Sequence, residues 1–295
     1  GASGYIASWV IQKLLTQGYT VHATVRDLNK SQSYTHLEKI ADSSPGTLKL
    51  FEANLLKPGS FNAAMQGCEI VFHMASPFVV TNYKDALKDI IEPAILGTQN
   101  VLNSVNKTES VQRVIVTSSI ASTYGDAIDI LQTEHTSFDE SHWNTTSSEI
   151  HQPYPYSKVM AERKAWEMAE AQDRWDLVCI NPALVFGQSL TPNTQSGSVE
   201  VLQQFANGMT LLGVPPMWNG VVDVQDVAEA HIRAAFNPQA HGRYIVCSET
   251  LSLLEMGKIL RKAFGPKFPF PRNQLPKTAF KLFGPVAGFS RKFVE

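Results

Sequence analysis

Two side chains four residues apart, Tyr154 and Lys158, open the chemical reading of this 295-residue chain. In the string Tyr154-Pro155-Tyr156-Ser157-Lys158, a helix would set the phenol and the ammonium about one turn apart on one face. A free phenol, with a pKa near ~10, is a slow proton donor to a nascent alkoxide at neutral pH. A neighbouring cation stabilises phenolate, so Lys158 is expected to bring Tyr154 toward the working range while also reaching a cofactor ribose. Tyr156 is a rival phenol, but its two-residue spacing to Lys158 turns it to another face. Pro155 fits a first helical turn, where its missing amide has no intrahelical partner to lose. Upstream, Val114-Ile115-Val116-Thr117-Ser118-Ser119 runs an apolar strand into three hydroxyls. Ligands of an open parallel sheet gather at the carboxyl ends of its strands, so Ser119 is chosen as the hydroxyl that hydrogen-bonds a substrate carbonyl oxygen. Thr117 and Ser118 are expected to satisfy local backbone groups instead.

A second cluster stands at the start of the chain. Gly1-Ala2-Ser3-Gly4-Tyr5-Ile6-Ala7 has the spacing G-x-x-G-x-x-G with alanine in the last place. Glycines in the first two places let the backbone turn tightly and approach a pyrophosphate, seated on the amino end of a helix starting near Tyr5. A glycine pattern alone is weak; here an amphipathic helix and then a strand follow it. That strand runs into Val25-Arg26-Asp27, where NAD-selective members of such folds place an acidic residue against the ribose 2'-hydroxyl. Arg26 offers bidentate hydrogen bonds to a 2'-phosphate, which favours NADPH/NADP+ over NAD. Lys30 either adds a second positive charge or is an exposed lysine with no specific task. Asp27 would serve the ribose if Arg26 turned to solvent.

These residues need a scaffold, and short β-branched runs alternating with longer amphipathic stretches supply one. Strands are expected over 20–25, 47–52, 69–75, 111–118 and 177–181, and helices over 5–17, 60–65, 85–105 and 157–171. After Pro182 the pattern loosens, with short elements at 199–206, 220–235, 243–246 and 253–264. The fold class expected is α/β: a Rossmann doubly wound parallel sheet with a smaller C-terminal substrate-binding domain. Residues 1–181 form the NADP-binding Rossmann domain, and 182–295 are mainly substrate-binding, with some segments returning to the Rossmann domain. The glycine loop of such a domain follows a strand, so about ten further residues with a short apolar strand are expected before Gly1. The end, Arg291-Lys292-Phe293-Val294-Glu295, has no capping or turn signal, and continuation is expected there too.

Composition narrows the partners. With 43% hydrophobic and 18% charged residues the chain can bury a full core. A formal charge of -2 and no lysine-arginine run argue against nucleic acid. No apolar stretch approaches the ~20 residues of a membrane span, and the eight histidines show no HxxxH spacing nor the cysteines a CxxC, so no metal is expected. Cys68, Cys179 and Cys247, each in or beside an apolar run, read as buried small hydrophobes in a reducing compartment, and a cytoplasmic location is expected. Monomer and homodimer both stay open.

Taken together, these residues resemble the extended short-chain dehydrogenase/reductases, within the NAD-dependent epimerase/dehydratase superfamily. The branch is that of dihydroflavonol 4-reductase, cinnamoyl-CoA reductase and the fungal aldehyde and ketone reductases. The resemblance lies in nine ordered blocks: GASGYIAS, ATVRD, VFHMASP, EPAILGTQNVL, VTSSIAS, FDESHW, YPYSKVMAE, INPALVFG and VVDVQDVAEAHI. It implies Ser119 as catalytic serine, Tyr154 as proton donor, and Lys158 as the residue that binds ribose and lowers the tyrosine pKa. It also implies cofactor contacts at Gly1, Ser3, Gly4, Tyr5, Ile6, Arg26, Lys30, Leu55, Ala75, Pro182, Val185 and Ser198. Asn54 stands where the family usually has an aspartate against adenine, an exchange that keeps a hydrogen bond and changes its polarity. Ala7 is found in the fungal reductases more than in the plant ones, against a plant-type flavonoid or cinnamoyl substrate. Three functions fit: a carbonyl reductase acting on a small-molecule aldehyde or ketone, a nucleotide-sugar epimerase or dehydratase, and an NADP-sensing protein without chemistry. Arg26 weighs against the second and the complete Ser-Tyr-Lys set against the third. Substrate specificity is expected from variable loops at Tyr83, 128–131, 188–198 and 215–218, where Phe78, Leu190 and Trp218 suggest a hydrophobic carbonyl compound.

Overall fold

The computed structural model describes residues 1–76, 83–191 and 196–283, so Phe78 and the last residues of the chain lie outside the described residues. In chain order the first elements are α1 (Tyr5–Thr16), β1 (Thr20–Val25), α2 (Thr35–Asp42), β2 (Thr47–Glu52), α3 (Asn62–Met65) and β3 (Ile70–His73). There follow α4 (Glu92–Asn106), β4 (Arg113–Thr117), α5 (Pro153–Glu170) and β5 (Asp176–Pro182). The remainder comprises β6 (Leu184–Phe186), α6 (Gly197–Ala206), β7 (Trp218–Asp223), α7 (Val224–Phe236), β8 (Gly242–Val246), β9 (Glu249–Ser252), α8 (Leu253–Phe264) and α9 (Lys277–Phe283). The described residues fall into two compact units, one drawn from 1–76, 83–182, 187–191 and 223–246, the other from 183–186, 196–222 and 247–283.

Alternation along β4 and β5 explains the architecture of the first unit. Val114, Val116, Leu177 and Cys179 join Val101, Leu102 and Val105 of α4 and Ala165 of α5 in one core cluster. Their neighbours Ile115, Val178 and Ile180 face the other way, into a cluster with Ala234 and Ala235 of α7. Strands buried on both faces need helices on both sides, which is the doubly wound arrangement. Helix α1 completes the second layer by packing Val10 and Leu14 on Ala228 and Ile232 of α7. The sheet runs β3-β4-β5-β8, parallel throughout, and β1 pairs β2 in a separate parallel ladder. Between them stand Gly1 and Ala2. The Ala2 amide donates to Thr24 O at 3.0 Å, and a Cβ on Gly1 would lie 3.0 Å from the Ala75 Cα, just past β3. The glycine loop is thereby held between the carboxyl ends of β1 and β3. In the second unit, strands run in the order β6-β7-β9, with β7 and β9 antiparallel.

Several boundaries differ from the periodicity. Helix α5 begins at Pro153, not 157: Gln152 takes a left-handed conformation (φ 55, ψ 60) that turns the chain into a helix headed by proline. The helix expected over 85–105 is a π turn at Leu87–Ile91 running directly into α4, with Pro93 just past the junction. The stretch 220–235 is a strand and a helix joined at Asp223, whose carboxylate caps α7 by accepting from the Gln225 amide at 2.7 Å. Helix α2 was not anticipated; two turns with Leu37 as their one buried side chain carry little periodic signal. The cysteine expectation needs correction, since Cys179 is buried, Cys68 half-buried and Cys247 exposed. Among the described residues no helix is long and apolar enough to cross a membrane.

Candidate active site

The first two turns of α5 carry both Tyr154 and Lys158, and the Lys158 Nζ lies 5.7 Å from the centroid of the Tyr154 ring. Lys158 is buried and donates to Ser76 Oγ at 3.1 Å. Burial pushes the Tyr154 phenol up to about 12; it pulls the Lys158 ammonium down to about 8, against the opposing charge of Glu162. Loss of water sets the direction of this shift, opposite to the lowering expected of Lys158. A phenol so placed is protonated at neutral pH, which is the form that donates.

Ser119 follows β4 in extended backbone (φ -162, ψ 153) and heads the short turn Ile120–Ser122, its Oγ accepting from the Ala121 amide at 3.2 Å. No group among the described residues accepts the Ser119 hydroxyl proton, so that hydroxyl is available to donate. The two hydroxyls before it are engaged, though by side chains and not by the backbone groups expected. Thr117 Oγ1 lies 2.7 Å from His231 Nε2. His231 Nδ1 faces the Val227 carbonyl at 2.7 Å, so Nδ1 carries the hydrogen and Nε2 accepts from Thr117; burial holds this imidazole at about 4, neutral. Ser118 donates to the Glu162 carboxylate.

The glycine loop forms a cradle at the amino end of α1. A Cβ on Gly4 would stand 3.1 Å from Gly1 O, as one on Gly1 would meet Ala75, so the loop closes this tightly only with glycine in both places. Helix α1 has no side-chain cap and no acidic residue in its first turn, which leaves the amides around Tyr5 and Ile6 for an anion. Ser3 is half-buried in the same turn. The Tyr5 hydroxyl is spent on Gly187 O at 2.7 Å, so this residue has only its main chain to offer. Arg26 is exposed just past β1, the strand whose Thr24 carbonyl accepts from the Ala2 amide of the loop at 3.0 Å. Asp27 is turned to its own loop, accepting from the Asn29 amide at 2.9 Å and pairing with Lys30 at 3.7 Å. The residues present fit a dinucleotide with a 2'-phosphate.

The other expected contacts divide. Leu55, Ala75 and Pro182 stand at the carboxyl ends of β2, β3 and β5, where ligands of such sheets collect. Asn54 is exposed, its Oδ1 accepting from the Leu56 amide of the same loop at 2.9 Å. Val185 and Ser198 belong to the second unit and bond each other, amide to Oγ, at 3.1 Å. Four residues near the site escaped the sequence reading. Ser76 receives Lys158, and buried His73, held at about 3 mainly by desolvation, lies 3.3 Å from Thr98 Oγ1. Glu162 and Arg243 form an ion pair at 2.6 Å with side chains 0% and 7% exposed. The signal for Glu162 was present, since Y-x-x-x-K continues on the same face as Y-x-x-x-K-x-x-x-E. The FDESHW tract folds on itself through Asp139 and presents Trp143, whose ring lies 4.0 Å beneath the Arg243 guanidinium.

Comparison with known proteins places this geometry. A family model described as the NAD dependent epimerase/dehydratase family matches residues 1–247. A cinnamoyl-CoA reductase of Medicago truncatula is 40% identical over 94% of this chain and 81% of its own. An anthocyanidin reductase of Vitis vinifera is 36% identical over 92% of this chain and 82% of its own. The crystal structure of yeast methylglyoxal/isovaleraldehyde reductase Gre2 complexed with NADPH superposes with a TM-score of 0.79 at 26% identity, covering 100% of this chain and 94% of that one. On the family match and on identity sustained along nearly its whole length, the chain belongs to the NAD dependent epimerase/dehydratase family.

Proposed function

We propose that the chain is an NADPH-dependent carbonyl reductase that converts a hydrophobic aldehyde or ketone to its alcohol. The observation that carries this reading is the pair on α5, a protonated phenol with a buried ammonium 5.7 Å from its ring. The reductase names of its relatives support it. Bound NADPH supplies the hydride. Tyr154 gives its proton to the carbonyl oxygen, and the Ser119 hydroxyl donates a hydrogen bond to the same oxygen. Lys158 holds a positive charge beside the phenol and the ribose. The loop from Gly1 to Ile6 receives the pyrophosphate, and Arg26 receives the 2'-phosphate. The second unit, built around β6, β7 and β9, is proposed to supply the substrate-binding domain.

A panel of aldehydes, ketones, β-keto esters and flavanonols, followed by NADPH absorbance, tests the reaction class. At least one hydrophobic member should oxidise NADPH; silence across the panel would reject the reading. Cofactor choice gives a separate expectation. Arg26→Asp should erase or reverse the preference for NADPH over NADH. A charge-assisted bidentate contact is worth about 1.5 to 3 kcal/mol, roughly tenfold or more in affinity. Wild-type enzyme that uses NADH at least as well would contradict the assignment of Arg26.

A further inference from the structure

The buried carboxylate of Glu162 gathers an unusual set of donors. Its Oε2 takes Ser118 Oγ, Ser122 Oγ at 2.5 Å and Asn181 Nδ2 at 2.9 Å, while its Oε1 takes Arg243 Nε at 2.6 Å. These donors surround Ser119: Asn181 Nδ2, with two hydrogens, donates to the carboxylate and to the Ser119 carbonyl together, while the single Ser122 hydrogen goes to the carboxylate with its Oγ against that carbonyl. Ser118 precedes it in the chain, the Ser122 hydroxyl lies 2.8 Å from the Ser119 carbonyl oxygen, and Asn181 Nδ2 lies 3.2 Å from that oxygen. The carboxylate stands one turn past Lys158 and two past Tyr154 on α5. Arg243 braces it from β8 and is itself fixed, donating to the carbonyls of Glu140 and His142, at 3.0 and 2.5 Å, and stacking on Trp143. A buried ion pair of this kind is weak support for stability alone, because desolvation of both charges consumes most of their attraction. It does fix geometry, since each partner has a single satisfied arrangement.

We propose that Glu162 is a positioning residue, which ties the Ser119 loop to the helix bearing Tyr154 and Lys158 so that serine and phenol address one carbonyl oxygen. The inference rests on the reading of Ser119 as part of the catalytic set. Arg243 neutralises the carboxylate and anchors it to the segment around Trp143.

A double-mutant cycle with Ser119→Ala in the full-length enzyme tests this. Loss of alignment by about an ångström typically costs up to ~100-fold, so Glu162→Gln, assayed near pH ~6 where Lys158 keeps its charge without the carboxylate, should lower kcat by roughly 10- to 100-fold with the KM for NADPH little changed. In the Ser119→Ala background the same substitution should add less than about a twofold further loss, because partners in one network are not additive. Ser122→Ala removes one link and leaves the ion pair intact; it should slow the wild-type enzyme by roughly fivefold and the Ser119→Ala enzyme hardly at all. Equal factors in both backgrounds, or a loss confined to KM, would overturn the inference while leaving the reductase reading in place. If Glu162→Gln does not fold, Ser122→Ala decides alone, and an unchanged kcat rejects the link. Ser119→Ala at the wild-type rate would remove the catalytic reading of Ser119 and this inference with it.

Discussion

Tyr154→Phe should leave NADPH binding intact and lower kcat by ~100- to 10,000-fold, the usual range for a general acid. The substitution keeps the ring and its packing and removes the one proton proposed to reach the alkoxide. Burial, which pushes this phenol up to about 12, sharpens the expectation: at neutral pH the group stays protonated, and the hydroxyl itself is what the variant lacks. Tyr156→Phe is the internal control. That residue is two positions from Lys158, so it should cost only a few-fold. Cofactor fluorescence titration separates binding from turnover. Equal losses in the two variants, or a Tyr154→Phe enzyme within a few-fold of wild type, would place the proton donor elsewhere.

Lys158→Met should fail in a different way, with cofactor affinity and kcat falling together, because one ammonium is proposed to serve both ribose and phenol. A loss on the order of 100-fold or more in kcat/KM is expected when a charged hydrogen bond and the positive charge beside the phenol go at once. The pH profile carries the same assignment with a definite sign. Burial lowers the Lys158 ammonium to about 8, with Glu162 opposing the shift, so the cation is present below that value and lost above it. The kcat/KM of wild-type enzyme should therefore decline as pH rises through about 8, and the decline should vanish in Lys158→Met. A flat wild-type profile from pH 7 to about 9 would count against the role.

How much of this could be read from the sequence depends on whether the relevant physics is local. Tyr154 and Lys158 are legible because a four-residue spacing on a helix fixes their relation, and the glycine loop because the helix follows it directly. The doubly wound sheet is legible in the β-branched runs of β4 and β5, which reappear as two opposed core faces. What escaped reading depends on distant partners. The engagement of Thr117 by His231 and of Ser118 by Glu162 joins residues 114 and 44 positions apart, and nothing in a hydroxyl cluster announces it. Burial is equally non-local, and it raises the Tyr154 phenol where the neighbouring charge alone predicts lowering. Residues whose side chains serve their own turns, such as Asn54 and Asp27, are likewise invisible until the loops are folded.

The central claim is that hydride from NADPH and a proton from the protein are added across a carbonyl. Its most direct test is isotopic, with NADPH deuterated at the transferring position of nicotinamide C4 and a carbonyl compound that the enzyme consumes. The account predicts one deuterium on the carbinol carbon of the alcohol for each NADPH oxidised, at a rate that collapses in Tyr154→Phe. An enzyme that leaves NADPH unconsumed with every carbonyl offered, and instead epimerises or dehydrates a nucleotide sugar with its cofactor retained, would contradict it.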